Sequence, residues 1–454
     1  MTTIFAKRVI CIDQELKNLL DEQNLDLLYE YISRFQPYDL AEMFIQFEHE
    51  DQLKWISMLP IPLGAEILEY VEPELQYRIL DRINTDTASS LLNEMSSDKV
   101  VDLLLAIHPH QAEKLMKFLP PDYREKISTL MTFSPNSAGS LATVEYIAAR
   151  NSWTVDQTLQ HVRKVGHEAE IVSYIYVLDT HGKLAGIVSL KDIILAKPDT
   201  QLEEIMKEDV VTVPAEMDQQ EVAYILSNYD LYAIPVVTSD NRMIGIITVD
   251  DLIDVIHEEA TEDFQKLGGS QPLEEPYFKN SIWGLFRKRI GWLLILFVAE
   301  AYTGNVLRHF EDTLSEVVTL AFFIPLLIGT GGNSGTQTVT TLVRALAMGE
   351  VKFKDIFKVM RKEVSTGVFL GLCMGIVALI RAEFLGVGFD VGTVVAVTAI
   401  FIVVWASLVA AALPLILHKL KIDPAVVSGP FIATLVDGTG LIIYFTMAKL
   451  MLNL

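Results

Sequence analysis

Asp437 is an ionisable residue inside an apolar run, "SGPFIATLVDGTGLIIYF". It lies about ten residues into a stretch long enough to cross a bilayer, flanked by Gly438 and Gly440. Charge at that depth marks a functional site by default; the bland reading is an ion pair with Arg344 that fastens two helices. One carboxylate is a weak cage for a cation, but two copies facing each other across a dimer axis are a better one. A strongly hydrated ion such as Mg2+ keeps several waters and is held through one or two carboxylates. Groups for those waters stand in "GTGGNSGTQ", residues 329–337, which follows an almost wholly apolar run. Asn333, Thr336 and Gln337 can bond to metal-bound water, and the glycines let backbones approach. Lipid cannot satisfy exposed backbone groups, so the glycines predict irregular backbone facing protein or a water-filled path. The run lacks a following Gly-Lys-Ser/Thr and a βαβ setting, so it is not a phosphate-binding loop.

A second concentration of acids occupies "VDDLIDVIHEEATEDFQKLGG". Asp251, Asp254, Glu258 and Glu262 share one helical face, as do Glu259 and Asp263. Like charges at that spacing repel, and the first lysine, Lys266, comes only afterwards. Either the face is merely solvated, or it needs divalent counter-ions to pack against another acidic surface.

Just upstream, "KLAGIVSLKDIIL" at 183–195 is repeated as "RMIGIITVDDLID" at 242–254. Each copy reads strand, Ser or Thr, two residues, Asp, helix. This pattern resembles the paired CBS-domain module, whose members commonly bind adenosyl ligands. The resemblance implies that Ser189 and Asp192, and Thr248 and Asp251, are candidate ribose contacts for ATP or another adenine nucleotide. Helix capping by the same residue types is the alternative.

These groups sit in two different materials. Residues 281–454 hold 14 basic and 11 acidic side chains, while the whole chain carries −23, which leaves −26 for residues 1–280. An acidic soluble part precedes a near-neutral apolar part; nucleic-acid binding, which needs a basic footprint, is disfavoured. Five apolar stretches are expected to span a membrane, at about 290–308, 315–346, 364–385, 391–418 and 427–452. The second is too long for one straight span. The basic residues Arg287–Arg289, Lys352–Lys362 and Lys419–Lys421 fall on one side, which places the soluble part in the cytoplasm. Cys11 and Cys373 indicate neither a disulfide framework nor a zinc site. Residues 1–20 turn acidic and amphipathic and do not read as a signal peptide. Apolar residues at helical spacing, with "MLP" at 58–60 and "FLP" at 118–120, predict a short helical solenoid at the start.

"PLLIGTGGNSGTQ" with "VRALAMGEV", and "DPAVVSGPFIATLVDGTG", give the whole chain a resemblance to the MgtE family of magnesium channels. The resemblance implies a multidomain membrane protein. It has a helical N-domain at 1–131, an α/β CBS pair at 132–200 and 201–256, a connecting plug helix at 257–280 and five membrane helices at 281–454. It also implies a homodimer with Mg2+ in a central pore. The pore aspartate falls on Asp437, with a carbonyl at Ala433 and polar contacts from Asn333 and Thr336. Thr336 stands where the family has a second Asn, and Gly429 where some members have Asn. The regulatory Mg2+ acids fall on Asp218, Asp230, Asp251, Asp254, Glu259, Glu262 and Asp263, with an acid absent at Gln220. Asp98 in "MSSDKVVD" is the N-domain acid expected to face them.

The expectation is a homodimeric Mg2+ channel of the cell membrane, in contact with lipid and not with nucleic acid, closed by cytoplasmic Mg2+. The alternatives are a CBS-regulated channel for other divalent cations, a CBS-regulated anion channel, and a membrane-anchored nucleotide sensor. No nucleophile–base set emerges, so an enzyme is not expected.

Overall fold

The computed structural model describes residues 16–22, 24–273 and 277–454. Cys11 and the reading of the first fifteen residues lie outside them. The chain divides into two compact units, 1–256 and 257–454.

The first unit opens with a run of short helices, from Leu25–Ile32 to Pro121–Leu130. Proline stands at a first helical position at Pro37, Pro73, Pro109 and Pro121, where its missing N–H costs nothing. Each helix buries one stripe, such as Leu40, Ala41 and Phe44, or Leu91 and Leu92. The "MLP" and "FLP" repeats are helix joints: Leu59 and Leu119 close the core, and Pro60 and Pro120 precede the next helix. Helix α1 (Ser97–Ala106) carries Asp98 in its first turn.

Two three-stranded sheets follow, built alike. In the first, β1 (Tyr146–Arg150) runs parallel to β2 (Ile171–Leu178), which pairs antiparallel with β3 (Leu184–Ser189). In the second, β4 (Val213–Pro214), β5 (Ala233–Val237) and β6 (Met243–Thr248) repeat that order and sense. The sheets exchange leading segments. Thr143, ahead of the first, pairs with Ile246 of the second; Lys207, ahead of the second, pairs with Ile187 of the first. Helix α2 (Leu190–Leu195) follows β3, α3 (Gln219–Asn228) precedes β5, and α4 (Val249–Leu267) follows β6. Thus the connecting helix begins within the second repeat and ends at Leu267, not over 257–280. Gly269, at φ +74°, supplies the left-handed turn that stops it.

The second unit holds α5 (Ile282–His309), α6 (Ile324–Ala347), α7 (Ile356–Leu385), α8 (Phe389–Lys419) and α9 (Gly429–Leu452). Among the described residues five spans are long and apolar enough to cross a membrane: 282–309, 318–347, 353–385, 389–419 and 429–452. The backbone of "GTGGNSGTQ" differs from the sequence-based expectation. It is regular α-helix throughout, and the break in the long second span comes earlier, where a 3-10 turn (Val318–Phe323) meets Ile324 and Pro325. A continuous helix pairs its own backbone groups, so the glycine-rich stretch itself needs no shelter from lipid. The glycines serve close approach instead. A Cβ on Gly331 would lie 2.6 Å from Ile402 and 2.8 Å from Val436, and one on Gly335 would lie 2.6 Å from Ile432. On α7, Gly371 presses on the backbone of Ile400, 2.8 Å from where a Cβ would stand. Small residues that bring backbones together are how helices associate where no hydrophobic gain is available.

Gly331→Val should therefore lower stability by about 1–3 kcal/mol through overpacking. Gly329→Ala, with nothing within 4 Å of its added methyl, should be neutral or slightly stabilising. Thermal unfolding of the two purified variants checks the contrast; equal midpoints would contradict the packing account.

Candidate functional site

The seam between α6 and α9 gathers most of the expected path residues. A Cβ on Gly332 would lie 3.3 Å from the Cβ of Ala433 and 3.9 Å from Oδ1 of Asp437. One turn along, Thr336 Oγ1 donates to the carbonyl oxygen of Gly429 at 3.4 Å. Gly429 has no side chain because the Thr336 methyl fills its place, 2.8 Å from a Cβ position. Gly438 packs against the ring of Tyr302 on α5, next to Thr303, whose buried hydroxyl has no hydrogen-bond partner among the described residues.

Asn333 is not in the seam. It is exposed on the adjoining face of α6, in line with Gln337, Thr340 and Arg344 at helical spacing. A polar stripe on a membrane helix must be covered by protein or by water. Asp437 is half-buried and makes no ion pair among the described residues, so the expected bland pairing with Arg344 does not occur. Among the described residues no three His, Cys, Asp or Glu side chains converge as a metal cage.

A second constellation surrounds the first turn of α1. Ser96 N–H donates to Glu69 Oε1 (2.7 Å) and Ser96 Oγ to Glu170 Oε2 (3.0 Å). Ser97 donates to Glu145 Oε2 from both N–H and Oγ, at 3.2 and 2.7 Å. Carboxylates are attracted there by unpaired amides and the positive end of the helix. Lys99 then bridges two acids: its Nζ donates to Asp251 Oδ1 at 3.0 Å and stands 3.5 Å from Asp98 Oδ2. One ammonium serves two carboxyl groups, so the trio is net negative only when both are ionised. Burial, together with the charge of Asp251, holds the Asp98 carboxyl well above the usual carboxylate range, against the pull of Lys99. Burial opposes the charge on Lys99, but Asp98 and Asp251 outweigh it and raise its affinity for the proton.

The structure thus brings Asp98 to Asp251 and adds Lys99, Glu69, Glu145 and Glu170, which sequence reasoning missed. Those acids come from scattered positions with no common spacing. Only Lys99 left a signal, as a lysine at the helix end that disfavours cations. Asp218 and Asp230 are not brought together; they stand at opposite ends of α3, about 15 Å long. Asp218 caps its start by accepting from Gln220 N–H, and Asp230 follows its end at φ +51°. Asp254, Glu259, Glu262 and Asp263 share α4 with Asp251. Asp254 is exposed. Burial and then Asp423 hold the Asp263 carboxyl up.

At the repeat positions, Ser189 Oγ donates to Asp192 Oδ2 at 2.6 Å and Thr248 Oγ1 to Asp251 Oδ2 at 2.8 Å. Ser189 also caps α2, accepting from Asp192 N–H. Capping is therefore present in the first repeat. Asp251 is further committed to Lys99, whereas Asp192 makes no ion pair among the described residues.

Comparisons with known proteins cover the same regions. A family profile described as MgtE, divalent cation transporter, matches residues 324–447. The MgtE intracellular N domain matches 35–136, and CBS domains match 138–199 and 202–258. The chain is 37% identical over 441 residues to the magnesium transporter MgtE of Thermus thermophilus, covering 96% of this chain and 98% of that one. It is 32% identical over 418 residues to the magnesium transporter MgtE of Bacillus subtilis, covering 92% of each. A crystal structure of the cytosolic domain of the Mg2+ channel MgtE in complex with ATP is similar to it at 34% identity. The TM-score is 0.50, over 54% of this chain and 99% of that one.

The raised Asp98 carboxyl makes stability depend on pH. The unfolded side chain titrates near about 3.9, so between that value and the higher folded one the folded state binds more protons. Stability is then greatest below the unfolded value and falls as pH rises through the folded one. Asp98→Asn removes this cost and should stabilise the protein near neutral pH, on the order of 1 kcal/mol. The gain should shrink as pH approaches 4. Thermal midpoints of wild type and variant across that range check it; a pH-independent difference would refute it.

Proposed function

The chain belongs to the MgtE family, and from that premise we propose that it is a homodimeric Mg2+ channel closed by Mg2+ on its cytoplasmic side. It is a multi-pass membrane protein with a soluble N-terminal part. The observation that carries the reading is the α6–α9 seam. It places an Asp437 carboxylate, without an ion-pair partner among the described residues, beside Gly332 and Ala433, with Thr336 about two turns away at Gly429 and the exposed stripe from Asn333 to Arg344 on the adjoining face of α6.

That stripe supports the dimer. A second copy facing it would exclude lipid, set two Asp437 carboxylates about one axis, and leave a wet passage between polar side chains. The ion crosses as cargo with much of its hydration shell, held through carboxylates and through water bonded to Asn333 and Thr336. The Ala433 carbonyl is the further acceptor proposed for that water. Discrimination then rests on carboxylate spacing against a shell that Mg2+ gives up reluctantly, which favours it over other divalent ions.

The gating part rests on charge. The Asp98–Lys99–Asp251 trio sets two carboxyl groups against one ammonium, and Glu69 and Glu170 stand nearby, so the carboxylates outnumber the cation when they are ionised. A divalent ion there, or at Asp218, Asp230, Asp254, Glu259, Glu262 and Asp263, offsets repulsion in the compact state. It therefore shifts the population toward that state. An adenine nucleotide is the second ligand we propose, with Ser189 and Asp192 as ribose contacts. Thr248 and Asp251 take the same role in the second repeat, in competition with Lys99.

Mg2+ flux into liposomes tests the reading. Wild-type flux should fall as Mg2+ on the cytoplasmic face rises, and Asp437→Ala should lower flux at low Mg2+ by at least about tenfold, roughly 1.4 kcal/mol. Undiminished flux in Asp437→Ala removes the carboxylate from the path. A folded, dimeric wild type without flux at any Mg2+ concentration would leave the nucleotide-sensor alternative.

A further inference from the structure

The end of α4 is attached to the start of α9 by groups outside the candidate path, of which only Glu262 belongs to the expected regulatory set. Lys266 Nζ donates to Asp423 Oδ2 at 2.6 Å and also pairs with Glu262, one turn back on its own helix. The other oxygen of Asp423 accepts from Ala425 N–H at 2.8 Å and caps the short turn Pro424–Val426 that leads into α9. Three residues beyond Lys266, Gly269 lies flat on Trp292 of α5; a Cβ there would stand 2.7 Å from the ring. The indole Nε1 of Trp292 donates in turn to Ser428 Oγ at 3.1 Å, and Ser428 caps α9 by accepting from Phe431 N–H. The segment after the helix is tied on both sides. Leu273 N–H donates to Gln265 Oε1 at 2.7 Å, and Gln271 N–H to the Lys288 carbonyl at 3.0 Å.

We propose that Lys266 is a positioning residue that couples α4 to the pore helix α9, its ammonium acting as a tethered cation between Glu262 and Asp423. This rests on the Mg2+-gated reading above. Without Lys266 the two carboxylates would face each other unpaired, and the joint would need an ion from solution to close. With it, the contact is made before any ion binds. Asp437 lies about two and a half turns beyond Ser428 on the same helix. A displacement of α4 therefore reaches Asp437 through rigid backbone once its end is fixed to the Asp423–Ser428 corner. Trp292 and Gly269 fill that corner, so the contact carries a push as well as a pull.

The test is the liposome flux titration with Mg2+ on the cytoplasmic face, for wild type, Lys266→Met, Lys266→Arg, Asp423→Asn and the exchanged pair Lys266→Glu/Asp423→Lys. Low-Mg2+ flux should stay within about twofold of wild type, because the path is untouched. The Mg2+ needed for half-suppression should rise at least about tenfold in Lys266→Met and in Asp423→Asn. It should stay near wild type in Lys266→Arg and return toward it in the exchanged pair. A wild type that Mg2+ does not suppress defeats the gating reading itself. A suppressed wild type with an unshifted midpoint in either Lys266→Met or Asp423→Asn defeats the joint alone. If Lys266→Met does not purify folded, Asp423→Asn carries the test, since its amide oxygen still caps Ala425. Folded variants with no flux at low Mg2+ also overturn the proposal, because the pair would then build the path and not transmit its closure.

Discussion

Within a bilayer a polypeptide has to satisfy its own backbone, and the membrane unit follows from that requirement. The helix α6 keeps every turn through a sequence with four glycines in nine residues. Because no carbonyl has to be turned outward, polar chemistry is left to side chains. Because glycine presents no side chain, α9 and α8 come close enough to bring Asp437 beside Gly332 and Val436 beside Gly331. One device thus gives both adhesion and a short distance from carboxylate to polar stripe.

Charge is handled differently in the soluble unit. The strongly acidic first 280 residues are not an evenly solvated surface. Several acids are drawn to the start of α1, where amides attract them, and a single lysine is shared between two others. Lysine appears in the same role at the end of α4. A covalently attached ammonium has a fixed local concentration, whereas Mg2+ must be recruited from solution. The two lysines therefore set how much repulsion remains for an ion to offset.

The architecture was largely legible in the sequence, because periodicity and repetition report local structure directly. The 59-residue repeat appears as β3 with α2 and β6 with α4, and the apolar runs appear as α5 to α9. The glycine motif was misread for a physical reason. Glycine signals either freedom of backbone or closeness of approach, and only the neighbours on α8 and α9 distinguish them. The candidate path residues Ala433 and Asp437 lie within one segment, so the sequence alone sets them one helical turn apart. A constellation assembled from distant segments was not legible: Glu69, Glu145 and Glu170 meet one helix turn through folding alone. Nor could spacing show that Asp218 and Asp230 stand apart, since α3 separates them.

The exchanged leading segments of the two sheets constrain the order in which this chain can be completed on the ribosome. Thr143 finds its partner only when Ile246 has been made. That is about 100 residues later, or about 5–20 s at ordinary rates of synthesis. The first sheet can take up Lys207 as soon as that residue is made, and the second is completed last, when Ile246 meets Thr143. The residue that ends the wait is followed almost at once by Val249, the start of α4. The first membrane helix, Ile282–His309, is made only after every strand of the CBS pair, so the pair has all its partners in hand before that helix is complete.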